Sequence, residues 1–461
     1  MPKLAPSLAP HRPAARILRL PAAWLVGTLA GVAGVAHAQS LQSLLEAAQS
    51  YDAAYLAAKA QFEANRAKAE QARARVLPSV GLSAEAFVNR RDSSASVLND
   101  TFNNQTVRLA ATQPLYRPGN QLEVEQAQRS LQAAEAQLQS VEQDLIVRLS
   151  QAYFDVLGAE DTLTFVRAQK AAVEQQLAAA QRNFEVGTAT ITDTREAQAR
   201  FDLVVAQEIA AENDLRVKKL ALDQLVGRSG AQPWRLPTPV TLPALAPNDV
   251  DAWVQRAAAE HPSVRAAQAA LDVARLEVRK AEAAKGPTLD AVAQYQFARA
   301  PSSVATIPGY LRTGYLRNQT ASIGVQFNLP LYSGGALDNR VKETVALEDK
   351  ARNDVEGAVR TVSQATRAAF FGVQSGLGQV RALEAAEASS QSALEANQLG
   401  YQVGVRINID VLNAQSQLYQ TKAQLAKARY DVLVGNLRLR QAAGVLKPED
   451  LQPINALLQA R

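Results

Sequence analysis

Phe184-Glu185-Val186-Gly187-Thr188-Ala189-Thr190-Ile191-Thr192-Asp193 is written again 217 positions later as Tyr401-Gln402-Val403-Gly404-Val405-Arg406-Ile407-Asn408-Ile409-Asp410. An aromatic residue, a Val-Gly pair and an Asp keep their offsets in both copies. Gly187 and Gly404 fall where a helix must stop and reverse, and glycine takes a positive φ there at little steric cost. Taken alone, the stretch also reads as a C-cap glycine followed by an Asp that caps the next helix. Its surroundings decide how much more it is.

Working backward from the first turn, no proline occurs between Gly119 and Val186, and Leu131, Ala134, Leu138, Val141, Leu145, Leu149, Ala152 and Val156 recur at steps of three and four. That spacing predicts one helix of 68 residues, roughly 100 Å long and packed in coiled-coil fashion. A second helix follows the turn, from about Asp193 to Val226, and stops at Gly227. The later copy has the same neighbours. Val355, Val359, Val362, Thr366, Ala369 and Val373 lead into the Gly404 turn, and a last helix runs from Asp410 to near Gly444.

Ahead of each long helix the period changes from helical to alternating. Val80, Leu82, Ala84, Ala86 and Val88 share one face of a predicted strand, with Ser79, Gly81, Ser83, Glu85 and Phe87 on the other. Val107, Leu109 and Ala111 mark a second strand beyond a polar loop expected over Arg90–Asn103. In the later copy Leu289, Ala291, Ala293, Tyr295 and Phe297 face one way. They are followed by a polar loop expected over Arg299–Arg317 and a strand carrying Ala321, Ile323, Val325, Phe327 and Leu329. A helix of about 36 residues is expected before the first hairpin (Leu41–Val76), and one over about Asp251–Lys285 before the second. The chain is therefore an internal duplication of helix, hairpin, long helix, turn, helix. The two shorter helices of a copy together match its long one, so stacked end to end they can lie along it.

Residues 1–38 read as a secretory signal: Arg12, Arg16 and Arg19 precede an apolar run from Ala22 to Ala36, and Ala36-His37-Ala38 fits small-x-small cleavage. A membrane anchor is the weaker reading, because the run is short for a span. Without Lys3 and those three arginines, the 49 basic residues fall to 45 against 44 acidic ones, so the high isoelectric point is no sign of nucleic-acid binding. No run of 18 apolar residues follows the leader. The expected division is 1–38 signal, 39–227 first repeat, 228–250 Pro-rich linker, 251–444 second repeat and 445–461 C-terminal segment.

Hairpins of alternating residues in an exported chain without apolar helices fit transmembrane β-strands of an outer membrane; a single hairpin is more often an ordinary surface feature, but two equivalent ones, each between long helices, reverse that preference. Four strands cannot close a barrel alone, since about eight is the usual minimum, so oligomerisation is required. Phe87, Tyr295, Phe297, Phe327, Tyr332 and Tyr116 are expected at or near the bilayer interfaces.

These features together resemble the TolC family of outer-membrane export ducts. The resemblance covers about Leu41 to Gly444 and is carried by Leu77-Pro78, Gly286-Pro287, Asn328-Leu329-Pro330-Leu331-Tyr332-Ser333-Gly334-Gly335, Ala152-Tyr153-Phe154-Asp155-Val156-Leu157, Phe184 to Thr188 and Gly400 to Ala414. It implies an α+β membrane protein, a homotrimer in which each protomer gives four strands to a twelve-stranded barrel continued by twelve periplasmic helices. The linker and C-terminal segment would wrap the middle of the tunnel. The family also implies an inner-membrane transporter of the ABC, RND or MFS type as partner, with a periplasmic adaptor contacting Val186, Gly187, Thr188, Val403, Gly404 and Val405. A gate near the tip is implied at Thr192, Asp193, Tyr401, Arg406, Asp410 and Asn413, with Asp193 as the implied partner of Arg406. Asn413 departs from the family's pair of Asp residues three apart. That departure predicts a ring of three Asp410 carboxylates in the trimer, and weaker cation selectivity than a two-Asp duct.

Two other classes of function account for less of the sequence. With no Cys and His261 the only histidine after the leader, metal and His-assisted nucleophile chemistry have almost no raw material, and no cofactor is expected. His261, beside Pro262 near a helix start, reads as structural. A periplasmic coiled-coil adaptor or scaffold accounts for the helices but not for the paired hairpins.

Overall fold

A computed structural model describes residues 39–91, 100–237, 240–307 and 310–458; the expected signal at 1–38 lies outside them. The first copy comprises α1 (Leu41–Tyr51), α2 (Ala53–Arg73), β1 (Ser79–Arg91), β2 (Asp100–Tyr116), α3 (Pro118–Glu185) and α4 (Ile191–Val226). The second comprises α5 (Val250–Glu260), α6 (Pro262–Ala283), β3 (Thr288–Ile307), β4 (Tyr310–Asn328), α7 (Ala336–Gln402) and α8 (Asn408–Ala442), and a short α9 (Leu451–Leu457) follows. The long helices contain 68 and 67 residues. α2 and α4 pack along α3, and α5, α6 and α8 pack along α7, as the length match requires.

Each expected first helix is in fact two. Asp52 (φ −59°, ψ 117°) leaves the helical region, and its carboxylate accepts from the Tyr55 N–H at 2.8 Å and from Arg148 at 3.1 Å. His261 (φ −62°, ψ 131°) does the same because Pro262 disfavours helical backbone in the residue before it, and its Nδ1 accepts from the Ser263 N–H at 3.1 Å. The break is where the other short helix arrives. A Cβ on Gly227, just past α4, would lie 2.3 Å from the Tyr51 ring, and one on Gly444, just past α8, 2.4 Å from His261 Cα. Only glycine allows backbone to pass so close, which explains why both recur at equivalent positions.

The four strands form one antiparallel sheet in the order β1-β2-β3-β4. Its register joins the predicted apolar faces into one: Leu82 pairs with Leu109, Leu109 with Tyr295 and Tyr295 with Ala321, while Ala111 pairs with Ala293 and Ala293 with Ile323. Ser83, Arg108, Gln296 and Thr320 line up on the opposite face. Phe87 lies on this polar face, opposite Asn104, whereas Tyr295 and Phe327 lie on the apolar one. The expected polar loops are also shorter than their composition suggests. Arg91 pairs with Asp100, and β3 and β4 remain paired from Arg299 and Arg317 to Ile307 and Tyr310. The backbone ladder continues through a stretch whose sequence is mostly polar, and the Arg299 guanidinium lies 4.4 Å from the Tyr315 ring centre. Arg117, at the start of α3, grips the buried Asp290 of β3 with two nitrogens and so links the copies below the sheet.

The largest core surrounds the middle of α3. Tyr153 and Phe154 are buried there with Leu41, Leu145, Leu433, Leu451 and Ile454, and Phe154 stacks on Tyr430 at 5.5 Å. The Tyr153 hydroxyl donates to the Trp234 carbonyl at 3.1 Å, and the Gln39 N–H donates to Gln232 O at 2.7 Å. Linker, N-terminal helix and C-terminal helix thus close over one belt of α3 and α8. Burial pushes the Tyr153 and Tyr430 hydroxyls well above the ordinary phenol range, so both stay protonated hydrogen-bond donors.

Candidate functional site

The α3–α4 and α7–α8 turns have the same backbone construction. Gly187 (φ 81°) and Gly404 (φ 77°) take the left-handed conformation, and their N–H groups donate to Phe184 O at 3.0 Å and Tyr401 O at 3.1 Å. The next two N–H groups converge on one carbonyl, that of Asn183 in the first turn and of Gly400 in the second. A Cβ on Gly187 or Gly404 would meet nothing within 4 Å, so backbone conformation alone requires glycine there. Val186, Val403 and Val405 are 73%, 65% and 76% exposed, and Thr188 is exposed beside them. These side chains form an apolar, accessible tip.

The two following helices begin differently. Asp193 does not occupy the N-cap position of α4: Thr190 does. Asp193 Oδ2 accepts from the Thr190 N–H at 2.9 Å, while Thr190 Oγ1 accepts from the Asp193 N–H at 3.2 Å, a reciprocal capping box. In the second copy Ile407 stands at Thr190's place and offers no side-chain cap. Asp410 is thereby left free of capping, and its Oδ2 lies 3.6 Å from Arg406 Nη1. Within the protomer, then, Arg406 meets Asp410, and Asp193 is engaged with Thr190. Thr192 is exposed in the first turn of α4.

Tyr401 and Asn413 have partners that sequence reasoning missed. Asn183 Nδ2 donates to the Tyr401 hydroxyl at 3.2 Å, and Arg200 Nη2 donates to Asn413 Oδ1 at 2.6 Å. Asn183 belongs to a ladder. Gln169, Gln176 and Asn183, seven residues apart on α3, hydrogen-bond to Ser416, Asn408 and Tyr401 of the other copy. A heptad of amides was the available signal. Alongside it Val173, Leu177 and Ala180 of α3 bury against Leu412 of α8. Charge pairs join α3 to α4 on another face, with Lys170 at 2.7 Å and Arg167 at 3.1 Å from Glu208, and Arg167 at 2.6 Å from Glu212. The Lys170 ammonium holds Glu208 below the usual carboxylate range.

Two helix hairpins with matching exposed turns, joined by an amide seam and carried beneath a sheet with an apolar face, are the parts of a duct. The chain matches the family described as outer membrane efflux protein over residues 44–228 and 253–445, one match to each structural repeat. It belongs to that family. It is 33% identical to outer membrane protein TolC of Vibrio cholerae over 425 residues, 92% of this chain and 94% of the relative. It is 34% identical to the alkaline protease secretion protein AprF of Pseudomonas aeruginosa over 325 residues, 70% of this chain and 66% of the relative. The crystal structure of outer membrane protein VceC from Vibrio cholerae shares the fold, with a TM-score of 0.73 at 21% identity, covering 88% of this chain and 96% of that one. The protein is accordingly an efflux and secretion channel of the outer membrane that extends into the periplasm. A free periplasmic scaffold is not favoured, and an enzymatic reading finds no support in this family.

Proposed function

We propose that three copies assemble one twelve-stranded barrel and one twelve-helix tunnel. The observation that carries this reading is the open sheet: among the described residues β1 and β4 each have an unpaired edge, while the face through Leu82 and Ile323 is exposed and apolar. An open edge in lipid leaves backbone groups unsatisfied, and four strands are about half of the smallest barrel. The Val186-Gly187-Thr188 and Val403-Gly404-Val405 tips receive the periplasmic adaptor, which couples the duct to an inner-membrane pump of the ABC, RND or MFS type. The cargo comprises small molecules and unfolded protein, in keeping with relatives described by efflux and by protease secretion. Arg406 and Asp410 act with Tyr401, Asn413, Thr192 and Asp193 as the gate that holds the tip closed between transport events.

Replacing Gly187 and Gly404 together by Leu tests the docking assignment. A Cβ at either position meets nothing within 4 Å in the protomer, and the left-handed backbone itself costs roughly 1–2 kcal/mol per site for a residue with a side chain. A normal yield of heat-modifiable trimer with export abolished is expected; normal export from that trimer would remove the tips as docking points.

A further inference from the structure

The two tip turns differ at a position that neither the capping pattern nor the backbone explains. Gly400 lies within α7, is buried, and is not among the glycines of positive φ. Glycine inside a helix is less stable than Ala, so its presence there calls for a reason. The equivalent residue of the first copy is Asn183, so this turn geometry accepts a side chain there. What differs is the neighbour. A Cβ on Gly400 would lie 2.7 Å from Cγ and 3.3 Å from Cβ of Arg406, whereas the first copy has Ala189 at the place of Arg406. The stem of Arg406 thus lies in a notch that exists because residue 400 has no side chain. The Arg406 N–H also donates to Gly400 O at 3.1 Å, fixing the start of that stem over the notch.

We propose that Gly400 is a positioning residue of the gate: its missing side chain seats the Arg406 stem and aims the guanidinium at Asp410. This rests on the reading of Arg406 as a latch. Gly400→Ala, Arg406→Ala and the double variant are to be compared as purified trimers in planar bilayers. Gly400→Ala is expected to raise open probability on the order of tenfold, the same scale as losing an exposed ion pair from each of three protomers. In the Arg406→Ala background it is expected to add nothing. A further additive change there would mean that the new methyl acts on the turn itself, and would overturn the proposal. If Gly400→Ala lowers trimer yield, Arg406→Ala in the same chain should restore it by removing the clash; persistent loss would overturn the proposal too. Should Arg406→Ala leave open probability unchanged, the latch itself falls. If Arg406→Ala raises open probability and Gly400→Ala does not, only the role of Gly400 falls.

Discussion

Arg406→Ser removes the cation that faces Asp410 at the second tip. The charges lie 3.6 Å apart, with side chains 59% and 33% exposed. At such a distance two unit charges attract by about 1 kcal/mol in water and by about 4–5 kcal/mol at an effective dielectric near 20. The exposure of Arg406 places the pair toward the water limit, where exposed ion pairs contribute roughly 0.2–1 kcal/mol. Taking about 0.5 kcal/mol for each of three protomers gives about 1.5 kcal/mol, roughly a tenfold shift of the closed-to-open equilibrium. Purified trimers in planar bilayers report this as open probability. Salt supplies an internal control, because the screening length falls from about 10 Å at 0.1 M to about 3 Å at 1 M. The parent should open more readily in the higher salt, while Arg406→Ser should already be open in the lower and change little. Equal open probability of parent and variant at both salt concentrations would refute the latch.

Asp410→Asn is expected to lower cation preference in reversal-potential measurements, and an unchanged preference would leave Asp410 without a part in conduction. Asn413→Asp should raise the preference only slightly, because Arg200 at 2.6 Å would neutralise the new carboxylate; adding Arg200→Gln should release the full increase. Ile323, 88% exposed on the apolar sheet face, becomes costly by roughly 2–4 kcal/mol as Lys at the bilayer midplane. Ile323→Lys should therefore yield less heat-modifiable trimer, and assembly equal to the parent's would invert the assignment of the sheet faces. Glu277 joins three helices, accepting from Gln126 of α3 at 2.8 Å and pairing with Lys280 of α6 and Arg340 of α7, each at 2.7 Å. Burial alone would raise its carboxyl, but these donors outweigh burial and hold it at about 2, below the ordinary 4.5. The stabilisation is present above about pH 4.5 and is lost as pH falls through about 2. Glu277→Gln should lower the dissociation temperature of the trimer at pH 7, with the difference from the parent vanishing near pH 2.

The heptad of amides on α3 shows how a functional feature can be visible in a sequence without being interpretable. Gln169, Gln176 and Asn183 are surface-type residues on a long helix, and nothing local says that the other copy lies against them. The capping difference left a signal that reading Asp193 and Asp410 alike as helix caps passes over: Thr190 three residues before Asp193 is a capping signature, and Ile407 three before Asp410 is not. Likewise Pro262 marks a break after Glu260, whereas Asp52 gives a weaker sign in an Ala-rich run. The extended strands beyond Arg90 and Arg299 could not be recognised by alternation, because the sequence there carries no sustained alternation of apolar and polar residues.

By itself the sequence determined the duplication, the long helices, the reversing glycines and the apolar face of the sheet. Each depends on covalent geometry or on a period of two or 3.6 residues, which neighbouring residues express without help from distant ones. Only the tertiary structure decided that Gly227 and Gly444 press against the chain at the ends of α1 and α5. It alone set Asn183 on Tyr401 and Arg200 on Asn413, and made Gly400 a seat for Arg406. The contacts between helices depend on which surfaces the long helices turn toward each other, and the seat at Gly400 on the path the Arg406 side chain takes across its own turn; no local pattern encodes either.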